Sequence, residues 1–286
     1  MSITMHHAAP ESLNEIVETV AAWQHAGGPV QLHPGDLGWH WRFGTRELAE
    51  MMRVWADGGR ILAVGMLDGD DGLARLAIAP AVDGDAAFAA GLLAALPGDV
   101  RTVEARSGSA FRDLLRRGGW AADEPWTPLS RDLTDRLEDH GLRIEILDAR
   151  HRDEKIVQDR VTVQRASFTS STFTAERWHA MAATPSYRRA RCLVGYDHDG
   201  NAVATVTVWS AGRGRPGLLE PMGVHRDHRG HGHGRAITVA AAAALREMGS
   251  CTATVCTPSG NTAAVATYVS AGFRSLPAVS DFRRPG

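Results

Sequence analysis

The sequence predicts an α/β fold of the α+β mixed-sheet kind, built as two tandem domains, each a mostly antiparallel mixed sheet flanked by helices. Three observations predict it. An apolar run ending at Val224 feeds a glycine-rich turn, Arg229 to Gly234, and then a strongly helix-forming segment, Ala236 to Met248. A second strand and helix follow at once: Cys251 to Cys256 alternates and is β-prone, and a short helix from Asn261 is stopped by Gly272. The same order of elements occurs earlier in the chain.

The earlier copy runs as a strand over Leu73–Pro80, a helix over 84–96, a strand over 100–105 and a helix over 109–117, closed by Gly118-Gly119-Trp120. Gly119-Trp120 answers Gly272-Phe273. The match is read as a tandem duplication, against the alternative that any two α/β halves look alike at this level. The predicted domains are 1–131 and 141–286, each with its own sheet, joined by a polar linker at 132–140. In the second half, a strand at 142–148 precedes helices at 153–168 and 173–183. Strands at 190–197 and 202–210 form a hairpin around Asp197-His-Asp-Gly-Asn201, a strong turn signal. A strand at 217–224 enters the glycine turn, and a last strand lies within 273–283.

Composition narrows the function classes. The 286 residues carry a formal net charge of −2, so no basic face for nucleic acid and no polybasic membrane patch is expected. The N-terminus lacks a basic and then apolar leader, and no apolar run approaches a membrane span. A cytoplasmic protein, monomer or homodimer, is expected. The 3 cysteines, Cys192, Cys251 and Cys256, lack a zinc spacing and read as buried free thiols. Trp39 and Trp41 are candidates for a pocket wall, with core packing as the other use.

The chemistry concentrates in Arg229-Gly230-His231-Gly232-His233-Gly234-Arg235. Glycines let the main chain curl closely around a ligand. A glycine turn that opens a helix turns unpaired N–H groups outward at the positive end of the helix dipole, which suits a phosphate or pyrophosphate. The rival readings are a flexible Gly/His loop and a metal site built on His225, His228, His231 and His233. No cysteine or carboxylate cluster completes the latter, so no metal is expected. In the first copy Asp83-Gly84-Asp85 stands at the equivalent place. Two carboxylates there would oppose a pyrophosphate by about 1 kcal/mol or more each. Leu115 and Gly108 stand where the second half has Tyr268 and Asn261.

The order strand, Arg-x-x-Gly-x-Gly, helix, strand, Asn261-x-x-Ala264-x-x-x-Tyr268, Gly272-Phe273 resembles the GNAT acyl-CoA N-acyltransferase superfamily. The resemblance is specific over residues 218–274. It implies two GNAT-like domains, the first degenerate, and acetyl-CoA as co-substrate. It further implies that residues 229–235 grip the pyrophosphate and that the backbone of Met222, Gly223 and Val224 pairs with the pantetheine arm. Asn261, Ala264 and Tyr268 would then lie along that arm. By the same resemblance Glu220 is the candidate base, with a strand-end carboxylate bonded to solvent or an arginine as an equal alternative. Tyr268 is the candidate acid, since a phenol with pKa about 10 keeps a proton to give to a thiolate. The expected activity is acetyl transfer to a primary amine of a small molecule by direct attack in a ternary complex. The alternative is a non-catalytic acyl-CoA-binding or sensor protein. The tandem layout is similar in architecture to mycothiol synthase, and no substrate follows from that.

Overall fold

The computed structural model describes residues 3–68, 72–135 and 138–285. The first half comprises β1 (Thr4–His7), α1 (Leu13–Trp23), α2 (Pro34–His40), α3 (Thr45–Met51), β2 (Met52–Asp57), β3 (Arg60–Asp68), β4 (Leu73–Ile78), α4 (Ala86–Ala94), β5 (Thr102–Ala105), α5 (Ser109–Arg117) and β6 (Ala121–Asp132). The second comprises β7 (Arg143–Leu147), α6 (Glu154–Ser167), α7 (Ala175–Ala182), β8 (Ala190–Tyr196), β9 (Ala202–Ser210), β10 (Gly217–Val224), α8 (His233–Glu247), β11 (Thr252–Pro258), α9 (Thr262–Ser270), β12 (Arg274–Ser275) and β13 (Val279–Arg283). The hairpin of β8 and β9, the helices α6 and α7, and the series β10–α8–β11–α9 all fall where the sequence pattern places them.

The expectation of a separate sheet for each half is corrected. A single 13-stranded sheet runs through the molecule in the order β1-β2-β3-β4-β5-β13-β6-β11-β10-β9-β8-β7, with β12 on β6. The two halves exchange their final strands. β6, from the first half, lies antiparallel to β11 from Thr252↔Asp132 to Pro258↔Trp126. β13, from the second, pairs with β5 at Phe282↔Val103. The domain boundary at 131/132 therefore marks the end of a strand that belongs to the other half's sheet. Of the predicted linker 132–140, residues 136–137 lie outside the described residues.

β9 shows how the core is layered. Ala204, Val206 and Val208 face the α8 side, packed with Ile237, Ala241 and Leu245. Thr207 and Trp209 face the other side, toward Arg160 of α6 and Tyr187. Burial on both faces explains why this strand reads as a nearly continuous apolar run. On the Trp209 side the first half is wedged into the second. A Cβ added at Gly38 of α2 would meet the Trp209 ring at 2.3 Å, and one at Gly35 would meet its Cβ at 2.5 Å. Trp39 stacks on Phe173 with ring centroids 5.3 Å apart. Trp41 is buried among α1, α3 and β2. Both tryptophans are core residues, and the pocket-wall reading is withdrawn for them. Cys192 is buried, whereas Cys251 and Cys256 are only partly so, correcting the expectation of three buried thiols. Among the described residues no helix is long and apolar enough to cross a membrane.

Candidate active site

β10 and β11 run parallel but pair only at Gly217↔Ala253 and Leu218↔Thr254, then part. On its other edge β10 loses register with β9 between Leu219 and Met222, around Pro221, which has no N–H to give. The cleft opened by this divergence is a groove of about 610 Å³. Met222, Gly223 and Val224 line one side, and Asn261 and Ala264 of α9 the other. Arg229, Gly230, Gly232, His233, Gly234 and Arg235 close its end.

The turn has the geometry the glycines foretold. Gly230 and Gly232 have φ of 84° and 81°, a region that side-chain-bearing residues rarely enter. At Gly234 the demand is space: a Cβ there would lie 2.9 Å from Thr267 Cγ2 of α9. Gly232 caps α8 without a side-chain hydrogen bond, and the first helical bond is Ala236 N–H to Gly232 O at 3.0 Å. Among the described residues the N–H groups from Arg229 to Arg235 make no hydrogen bond within the chain. They form a ring of free donors at a positive helix end. Arg229 is anchored on Ser167 O at 2.9 Å and Arg235 on Ser270 O at 3.0 Å, so both guanidinium groups are held at the groove. Asn261 caps α9 by accepting the Ala264 N–H at 3.2 Å.

Several site residues were not foreseen. Ser167 and Phe168, at the end of α6, form the facing wall, and His228, Ala263, Thr267 and Ser270 complete it. Phe168 is a large apolar side chain left partly exposed beyond a helix, the one sequence signal available for that wall. His231 and Tyr268 do not line the groove. Tyr268 is 6% exposed and packs on Phe273 with centroids 6.0 Å apart. Burial raises its phenol further above the ordinary range, and the nearby Glu220 charge adds to this. The histidine cluster is loose, with His231 stacked on His233 at 5.9 Å. Burial and its histidine neighbours lower the His233 pKa. Among the described residues no group of three metal-binding side chains is assembled.

Glu220 belongs to a second cavity of about 230 Å³ on the other side of the β10–β11 divergence. Leu218, Glu220 and Cys256 from the second half meet Asp36, Asp68, Arg75 and Glu104 from the first. Trp209 holds the Glu220 carbonyl at 2.7 Å. The Glu220 carboxyl has no hydrogen-bond partner among the described residues. Burial pushes its pKa up to about 7, helped by Asp36 and opposed by Arg75, His40 and Arg42. Of the two readings left open for this residue, the strand-end carboxylate tied to an arginine finds no such hydrogen bond. Cys256 is pushed up to about 12 by burial, so it stays a thiol at neutral pH.

Residues 155–273 match the model of the acetyltransferase (GNAT) family. No curated protein matches the chain. Among solved structures, the chain is similar to a tandem GNAT protein from the clavulanic acid biosynthesis pathway, at 15% identity and a TM-score of 0.60, covering 100% of both chains. It is also similar to a GNAT-family acetyltransferase from Colwellia psychrerythraea, at 15% identity and a TM-score of 0.63, again over 100% of both. A GCN5-related N-acetyltransferase from Sphaerobacter thermophilus matches at 18% identity and a TM-score of 0.55, over 99% of this chain and 96% of that one. At these identities the likeness is one of fold. The family match thus covers residues 155–273, and over its full length the chain shares the fold of tandem GNAT proteins.

Proposed function

We propose that the protein transfers an acetyl group from acetyl-CoA to a primary amine of a small molecule, in one direct step. The observation that carries this reading is the pair of sites on β10. The strand faces an anion-ready groove at Met222–Val224 and, two residues away, a cavity in which the Glu220 carboxyl has no hydrogen-bond partner among the described residues.

The residues fit a pyrophosphate-bearing thioester. Residues 229–235 would hold the pyrophosphate by their free N–H groups, with Arg229 and Arg235 beside it. The parted edge of β10 would pair with the amide-bearing arm as an added strand. Acetyl-CoA, when bound, supplies an activated acyl carbon. Glu220, with a pKa of about 7, is divided between base and acid at neutral pH, and so can take the ammonium proton and release a nucleophilic amine. The new C–N bond forms as the C–S bond breaks, and the departing thiolate needs a proton. Tyr268, one α9 turn after the groove-lining Ala264 and buried behind it, keeps its proton and is the proposed donor. A covalent route through Cys256 is disfavoured by its raised pKa.

The first half joins the acceptor site through Asp36, Asp68, Arg75 and Glu104 rather than binding a cofactor of its own. Free-thiol release from acetyl-CoA across an amine panel tests the reaction. Tyr268→Phe is expected to lower kcat by about 10²-fold with little change in acetyl-CoA affinity. Unchanged turnover would remove the phenol from the mechanism. Tight acetyl-CoA binding with no thiol release for any amine would favour the sensor reading.

A further inference from the structure

The acceptor cavity continues outward. A second, more open cavity of about 300 Å³ shares Asp68, Leu73, Trp126 and Asp281 with it and adds Asp123 and Glu124 at the surface. The result is a tapering passage from solvent to Glu220. Its inner end holds Asp36, Glu104 and Glu220, its waist Asp68 and Asp281, and its mouth Asp123 and Glu124.

The charge balance is uneven. Arg75 and Arg106 are the arginines on the walls. Arg75 is already shared between Asp36 and Glu104, each at 3.0 Å, and Arg106 is paired with Asp281 at 2.7 Å. Two more arginines and a histidine stand close by. Arg283 lies 3.9 Å from Asp123, His40 lies 3.4 Å from Asp68, and Arg42 is near Glu220 and Asp68. Among the described residues, with every group counted as charged, seven carboxylates stand against five basic groups, and Glu220, pushed up to about 7, carries only part of its charge at neutral pH. The carboxyl at the inner end, Glu220, has no hydrogen bond among the described residues. Trp126 adds an aromatic wall at the waist, a surface that attracts ammonium groups and methylene chains alike.

We infer that the acceptor is a small, elongated amine with two positive charges, a diamine or short polyamine, whose reacting nitrogen lies at Glu220 and whose second ammonium lies between Asp68 and the Asp123–Glu124 mouth. An amine that carries a carboxylate is excluded, because its anionic end would enter an already negative passage. The inference rests on the transferase reading for which nitrogen reacts, but the charge preference is independent of turnover.

Three probes of equal length separate the possibilities: 1,5-diaminopentane, pentylamine and 5-aminopentanoate. Binding to the full-length protein with coenzyme A present is measured by calorimetry, and thiol release from acetyl-CoA is measured in parallel. The diamine is expected to bind about tenfold or more tighter than pentylamine, and 5-aminopentanoate weakest of the three. Asp68→Asn and Asp123→Asn should each narrow the diamine-to-pentylamine ratio, and added salt should narrow it too. Equal binding of diamine and pentylamine, or preference for the amino acid, overturns the inference. So does preferential acetylation of a lysine-rich peptide over the diamine. Diamine binding without thiol release would uphold the charge preference and count against the transferase reading alone.

Discussion

The two halves carry the same elements in the same order, yet among the described residues only the second parts its central parallel strands. In the first, β4 and β5 stay paired from Leu73↔Thr102 to Leu76↔Ala105, whereas β10 and β11 part after two positions. The helix that follows is closed in the first half and open in the second. Asp85 accepts the N–H groups of Ala87 and Phe88 at 2.8 and 2.9 Å, so α4 has its anion built in. Asp83 is turned inward as well, onto Gly108 N–H and the Ser109 hydroxyl, both at 2.7 Å. The carboxylate of Asp85 stands at the helix end where a pyrophosphate would sit, and Asp83 is engaged beside it. They are consumed by the chain itself. The comparison teaches that a ligand site of this kind is made by leaving standard structure incomplete, with a ladder unzipped and a helix uncapped. The degenerate half is the one in which both have been finished.

The largest effect should come from separating the halves. Residues 141–286 alone lack β6, which lies between β11 and β13. The isolated fragment is expected to show no cooperative unfolding in circular dichroism and no acetyl-CoA binding. A folded, active fragment would show that strand exchange is dispensable. Next comes the proposed base, Glu220. Glu220→Gln should lower kcat/KM by about 10²–10⁴-fold. In the unsubstituted protein kcat/KM should rise with pH through about 7, because the raised carboxyl must lose its proton before it can accept one. The glutamine variant should lose that inflection. An unchanged profile would assign the titration elsewhere.

A smaller effect is expected from giving the second half the first half's cap. Gly232→Asp places a carboxylate at the open end of α8 and should weaken acetyl-CoA binding by about 10²-fold. Gly232→Asn, which tolerates positive φ and adds no charge, should cost much less. Equal losses would make backbone strain the cause. The smallest effect is the converse change. Asp85→Ala should cost about 1 kcal/mol of stability in denaturant titration through the lost cap. It should leave one acetyl-CoA site per chain, since β4 and β5 remain zipped.

The parts of this comparison that were legible in the sequence are local ones. The glycines at 230, 232 and 234, the Asn261 cap and the alternation of β11 each follow from a few adjacent residues. Gly108 and Leu115 do stand at the positions of Asn261 and Tyr268, as N-cap of α5 and buried face residue. What was not legible is non-local. β6 contains Pro125 and Pro128, which argue against a central strand, and no short-range signal tells a strand which sheet to join. The cavity at Glu220 was hidden for the same reason. Asp36, Asp68 and Glu104 lie in unrelated sequence contexts and converge on Glu220 only after the halves interlock. The depth of Tyr268 also depends on Phe273 and the sheet beneath, not on its spacing.

The exchange of β6 and β13 also sets an order of events at the ribosome. β5 has β4 on one edge from the start, but its other neighbour, β13, is at the far end of the chain. The first half therefore presents an unpaired strand edge until Val279–Arg283 have been synthesised, and β6 must wait for β11 through most of the second half. Such distant pairings slow folding and expose edges that invite association between chains. The molecule cannot mature half by half, and the acceptor passage, which needs both halves, comes into being only when the last strand has been placed.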